Sequence, residues 1–103
     1  MKNKSSKLAN LERKRFSIFT DDLETCMLCG MTATELNEIF RGRNRQNSMK
    51  WGAVMPLCYK CHTKITYDNK LEDKWKIKGQ KKMMEYYQMS KEEFLEIFKR
   101  NYI

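Results

Sequence analysis

Apolar positions along this chain fall into short clusters set between long polar stretches. In Glu35-Leu36-Asn37-Glu38-Ile39-Phe40, Leu36, Glu38 and Phe40 alternate with Asn37 and Ile39, which predicts a half-buried β-strand. Trp51 to Leu57, W-G-A-V-M-P-L, is a second short apolar run, and Gly52 and Pro56 place it at an edge or a bulge. Between these strands, R-G-R-N-R-Q-N-S-M-K shows no apolar period and no acid, so it reads as a long polar loop. The second strand delivers Cys58, and Cys58-Tyr-Lys-Cys61-His62-Thr-Lys-Ile is expected to open a helix. Residues 70–88 read as a basic helix with Leu71, Trp75, Met83, Met84 and Tyr87 on its apolar side, and with Gly79 as a divider. Ser90 followed by Glu93 predicts a capping box. Phe94, Leu95, Ile97 and Phe98 then space a last helix over 91–100.

Two further segments precede the strands. Residues 1–19 form a basic arm carrying Lys2, Lys4, Lys7, Arg13, Lys14 and Arg15. Leu8, Leu11, Phe16 and Phe19 give it some helical spacing, as in a segment that orders on the domain or on a partner. A frayed terminus is the plainer alternative. Asp21, Asp22 and Glu24 make a short acidic turn. The expected organisation is therefore the arm, 1–19, and one domain, 20–103.

The length, 103 residues, suits one domain with a small core. Lysine plus arginine total 21 against 13 acids, a net charge of +8 with a pI near 9.4. That balance favours a polyanionic partner, DNA or RNA, over a merely solvated Lys-rich surface. The opening M-K-N-K-S-S-K lacks an apolar signal core, and no apolar run approaches the ~20 residues that span a bilayer. A cytoplasmic protein without a membrane partner is expected.

The cysteines change the picture most. Cys26 and Cys29 stand in T-C-M-L-C-G, Cys58 and Cys61 in L-C-Y-K-C-H, and the chain has no others. Two Cys-x-x-Cys pairs supply the four thiolates of a tetrahedral structural zinc site, with bonds of about 2.3 Å. Two disulfides are the alternative, disfavoured by a reducing compartment. Gly30 after the second cysteine permits φ > 0, which turns backbone N–H groups toward the thiolates. Cysteines at a helix N-terminus gain from its positive dipole end. Four thiolates close the coordination sphere, so catalysis needs a second site beside them. The aromatics and methionines of the C-terminal helices read as core, with a partner groove as the alternative.

The order Cys-x-x-Cys-Gly, then E-L-N-E-I-F, then R-G-R-N-R-Q-N-S, then P-L-C-x-x-C-H resembles an HNH endonuclease. It is similar in particular to small HNH-type proteins of phages and prophages. The likeness spans roughly residues 24–103 and includes the tail E-E-F-L-E-I-F-K-R-N-Y-I. The resemblance implies an α+β fold: a small zinc-stabilised ββα core of HNH or treble-clef type with C-terminal helices. It also implies metal-assisted phosphodiester hydrolysis, with one divalent ion (Mg²⁺ or Mn²⁺) and a histidine base.

Carried over by position, His62 matches the family's final metal-ligand histidine, and it is the only histidine here. The first-strand pair falls on Asn37 and Glu38, where the family shows at least one histidine. Asn44 or Asn47 stands for the asparagine that orients the base. Tyr67 and Asp68 fall where some relatives have further histidines, and Asp68 is an oxygen ligand in principle. Imidazole is the ordinary base near neutral pH, and a carboxylate is a weaker one. Asn37 cannot act as a base at all.

Two functions follow from that departure. In the first, the chain binds DNA and nicks or cuts it. Arg41, Arg43, Arg45 and Lys50 of the loop and Lys74, Lys78, Lys81 and Lys82 of the helix grip phosphates, while His62, with Glu38 or Asp68, holds the divalent ion. A homodimer suits a double-strand cut, and a phage origin places the protein in a bacterial host cell. In the second, the fold keeps its zinc and basic surface without hydrolysis, as a DNA- or protein-binding regulator such as an inhibitor of a host nuclease or repressor. A zinc-ribbon RNA-binding protein is a third, weaker alternative. Each residue also has a plainer role: His62 as a helix-terminal residue, Glu38 as a partner of Arg41 or Arg43, and the arginines as a solvated loop.

Overall fold

The computed structural model describes residues 6–103 as a small α+β protein of two strands and five helices. Helix α1 spans Ser6–Arg13, strand β1 Glu35–Glu38, helix α2 Arg45–Trp51 and strand β2 Val54–Leu57. Helices α3, α4 and α5 follow at Tyr59–Tyr67, Asn69–Tyr87 and Lys91–Phe98. The first lysines of the expected arm, Lys2 and Lys4, lie outside the described residues.

Strands β1 and β2 pair antiparallel, with Glu35 opposite Leu57, Leu36 opposite Pro56, Asn37 opposite Met55 and Glu38 opposite Val54. All four β2 residues are buried, as a short apolar run requires. Pro56 has no N–H to give, but its carbonyl accepts from Met27 N at 3.0 Å. The Leu57 carbonyl accepts from Thr34 N at 3.0 Å. These bonds seat the first cysteine pair against the hairpin. On β1 the burial differs from the expected alternation. Asn37 is buried, Leu36 and Glu38 are half-buried, and Ile39 and Phe40 are both buried just past the strand.

The predicted loop between the strands is instead a short 3₁₀ turn, Gly42–Asn44, followed by α2. Tertiary hydrogen bonds replace the missing apolar period. The buried Ser48 hydroxyl donates to the Phe40 carbonyl at 2.7 Å and accepts from Phe40 N at 3.1 Å. Asn44 and Asn47 donate their amides to the carbonyls of Phe98 at 2.9 Å and Ile97 at 3.0 Å. Two orphan carbonyls at the C-terminal end of α5 are thereby satisfied. Met49 supplies the apolar anchor. Gly52 ends α2 with φ +78°, and the Phe16 ring lies where a side chain at Gly52 would go.

Helix α4 runs unbroken through Gly79, contrary to the expected division. The glycine is there for packing. A Cβ would lie 3.1 Å from Ile39 and 3.2 Å from Phe40. The core gathers Phe40, Met83, Phe94 and Phe98, with ring centroids of Phe40 and Phe98 4.7 Å apart. The buried Gln80 joins the C-terminal tail through Asn101 at 2.9 Å and Tyr102 N at 2.7 Å. The Ser90–Glu93 capping box forms in both directions. Helix α5 stops at Phe98 because Lys99 takes φ +62°.

Candidate metal centre and adjoining cleft

The first cysteine pair sits on a tight turn. Cys26 N donates to the Met31 carbonyl at 2.7 Å, and Gly30 N to the Cys26 carbonyl at 3.0 Å. Gly30 has φ +80°, a conformation that side chains resist. The second pair opens α3, where Cys58 is the N-cap and its Sγ accepts from Cys61 N at 3.5 Å. The four Sγ atoms lie within 4.8 Å of one another, and those of Cys29 and Cys58 are 3.5 Å apart. A tetrahedral centre with bonds of about 2.3 Å needs sulfur separations of roughly 3.8 Å. All four cysteines are free, and 3.5 Å is far beyond an S–S bond of about 2.05 Å. Among the described residues this is the one group of three or more metal-ligating side chains so gathered.

The thiols titrate unequally. Burial opposes ionisation of Cys26, but N–H groups of Cys58, Leu28 and Cys29 bring its pKa down to about 6. Cys61 is pushed up to about 12, by burial first and then by its neighbouring cysteines. Four thiols this close cannot all shed protons unaided, and a divalent cation removes that conflict.

An open cleft of about 550 Å³ is lined by His62, the residue after Cys61, and by residues of β1. Arg15, Glu35, Glu38, Arg45 and His62 supply its charged wall. His62 follows Cys61 in α3, and its N–H bonds to the Cys58 carbonyl at 2.9 Å. The His62 Nδ1 atom lies 3.1 Å from Glu35 Oε2. Glu38 Oε1 lies 3.0 Å from Arg15 Nη2 and 3.3 Å from Arg45 Nε. These contacts are close without hydrogen-bond alignment. Glu35 Oε2, Glu38 Oε1 and His62 Nδ1 are buried atoms with no hydrogen-bond partner. The chemistry of the Glu35–His62 pair, one imidazole nitrogen and one carboxylate oxygen, fits a divalent cation, whereas Glu38 Oε1 already faces two guanidinium groups.

The other expected residues lie elsewhere. Asn37 is buried opposite Met55 and does not line the cleft. Asp68 caps α4, accepting from Lys70 N and Leu71 N at 3.1 Å each. Asn44 and Asn47 are engaged with α5, as described above. Arg41 faces Glu72 at 3.8 Å, and Arg43 is exposed. Lys50 and Lys78 sit over the rings of Trp51 and Trp75, at 5.7 and 4.7 Å. Lys74 and Lys81 are exposed, and Lys82 lies 3.8 Å from Glu85. Of the eight basic residues named from the sequence, Arg45 alone lines the cleft.

Glu35 and Arg15 are the cleft residues that sequence reasoning missed. Glu35 was legible through the hairpin register. It pairs with Leu57, one residue before the cysteine that caps α3, so it stands level with the first turns of that helix. Arg15 had no local signal, since its place depends on how α1 packs on α2. No helix among the described residues is long and apolar enough to cross a membrane. No protein-family description matches the chain, and no curated protein or solved structure matches it.

Proposed function

We propose that the chain is a zinc-stabilised, HNH-like protein that binds DNA and hydrolyses its phosphodiesters with a divalent ion. The observation that carries this is the Glu35–His62 pair. It unites an imidazole on the Cys58-capped helix with a carboxylate on the first strand, inside a cleft flanked by two arginines. The net charge of +8 agrees with a polyanionic substrate.

In this reading Cys26, Cys29, Cys58 and Cys61 hold zinc and fix the start of α3, which sets the position of His62. His62 and Glu35 would hold Mg²⁺ or Mn²⁺, with Glu38 beside them. When bound, that ion supplies Lewis-acid stabilisation of charge developing on the phosphate oxygens. The Glu38 carboxylate is the remaining group that can take a proton from water, since β1 carries no histidine. The ββα or treble-clef label belongs to this proposal, resting on the order hairpin, Cys58 N-cap, α3.

One observation favours the second reading, an HNH-derived regulator without hydrolysis. Glu38 is engaged by both Arg15 and Arg45, which restrains it as a base. Crystals soaked in Mn²⁺ distinguish the two by anomalous scattering. The nuclease reading predicts a manganese peak at His62 and Glu35, separate from a zinc peak at the thiols. Manganese absent from that pair at millimolar concentration would contradict it.

A further inference from the structure

Arg15, from the end of the N-terminal segment, and Arg45, from the start of α2, converge on the same two oxygen atoms. Arg15 Nη2 lies 3.4 Å from Glu12 Oε2 and 3.0 Å from Glu38 Oε1. Arg45 Nη2 lies 3.2 Å from that Glu12 oxygen, and its Nε lies 3.3 Å from that Glu38 oxygen. We propose that Arg15 and Arg45 form one phosphate-binding fork at the cleft, and that its ligand is a nucleic-acid backbone phosphate. The proposal rests on the cleft being a nucleic-acid site.

Two guanidinium groups side by side repel, and Glu12 and Glu38 hold them together. Their donors are not exhausted by this. A guanidinium carries five N–H donors in a rigid fork. Arg15 directs Nε to Met49 Sδ at 3.4 Å and Nη2 to the carboxylates. Arg45 directs Nη2 and Nε to the same carboxylates. No hydrogen bond from the Nη1 group of either is found among the described residues. The Arg45 side chain keeps 40% of its surface exposed against 18% for Arg15, so the fork opens to the cleft mainly through Arg45. A phosphate reaching it would accept bidentate, charge-assisted bonds from groups already fixed in place. Glu38 is then a positioning residue for the fork. The N-terminal segment becomes a wall of the site rather than a separate tether, because Arg15 and Glu12 both come from it.

The rival account is a structural staple that fastens α1 to β1 and α2 and binds nothing. Titration of the ¹⁵N-labelled protein with inorganic phosphate separates the two through the arginine Nε–Hε signals. The fork predicts saturable shifts of Arg15 and Arg45 while Arg13 and Arg100 stay put. Fluorescence anisotropy with a short DNA duplex supplies the second arm. Arg15→Ala and Arg45→Ala should each weaken binding about 3- to 30-fold and reduce the salt slope by about one. Arg15→Lys should recover part of the loss, and Glu38→Gln should weaken binding by releasing the two guanidinium groups that its carboxylate holds together.

Tight DNA binding by the wild type, with unshifted arginines and an unchanged Arg15→Ala slope, would overturn the fork and leave DNA binding standing. Phosphate shifts at both arginines without any DNA binding would keep the fork and remove the nucleic-acid reading. Absence of both responses would remove both. If Arg15→Ala fails to fold, the wild-type phosphate titration still decides.

Discussion

His62 Nδ1 stands 3.1 Å from Glu35 Oε2 because Glu35 pairs with Leu57 and Leu57 leads straight into the cysteine that caps α3. The cysteine cluster and the cleft therefore share one structural element. Whatever fixes Cys58 and Cys61 also fixes the imidazole that follows them.

Metal content is the first consequence. The protein as purified is expected to carry one zinc per chain, measured by atomic emission. Cys61→Ser should lose it, and chelation should lower Tm by about 10 °C or more, since a structural zinc contributes directly to folding. Chelation without any change in Tm would contradict a structural role.

Removing the metal should also expose a pH dependence with a definite sign. Cys26 is held down to about 6, against 9.0 ordinarily. Its folded-state pKa is depressed, so its contribution is present above pH 9 and lost as pH falls toward 6. Cys61 is raised toward 12, so its contribution is present below pH 9 and lost as pH rises toward 12. Urea midpoints of the metal-free chain should fall between pH 9 and 6, and Cys26→Ser should flatten that decline. An equal slope in the variant would contradict the assignment to Cys26.

Ser48 is a test of the helix that stands where a loop is expected. Its hydroxyl is the partner of both the N–H and the carbonyl of the fully buried Phe40. Ser48→Ala should cost about 2 kcal/mol in urea unfolding, with an unchanged m-value. A loss below about 0.5 kcal/mol would mean that neither Phe40 group depends on the hydroxyl.

Gly79 gives an opposite-sign test of helix propensity. Alanine in a helix interior is better than glycine by about 1 kcal/mol. Here the added Cβ meets Ile39 and Phe40 at 3.1 and 3.2 Å, and overpacking costs about 1–3 kcal/mol. Gly79→Ala should therefore leave stability unchanged or lower it, read from the thermal midpoint. A clear gain in Tm would show that the core yields at no cost.

These cases show which parts of the structure were legible in the sequence. The cysteine turn, the hairpin, the Cys58-led helix and the Ser90 capping box depend on neighbours in sequence, and each carries a local signal. Helix α2 does not. Its stability comes from Ser48 reaching back to Phe40 and from Asn44 and Asn47 reaching forward to α5, contacts that no window of the sequence displays. Gly79 looked like a breaker because its packing partners lie in another element. The cleft was half legible. His62 was marked by its place after Cys61, but its carboxylate neighbour is Glu35, chosen by strand register, and Glu38 is drawn to arginines from two other segments.

The most direct measurement is the nicking of supercoiled plasmid in Mn²⁺ or Mg²⁺ by wild type, His62→Ala and Glu35→Ala, each confirmed to hold zinc and to be folded. The account predicts metal-dependent nicking by the wild type, reduced at least about 100-fold in His62→Ala and sharply in Glu35→Ala. Nicking that survives both substitutions, or a wild type inert under every divalent metal while binding DNA, would contradict it.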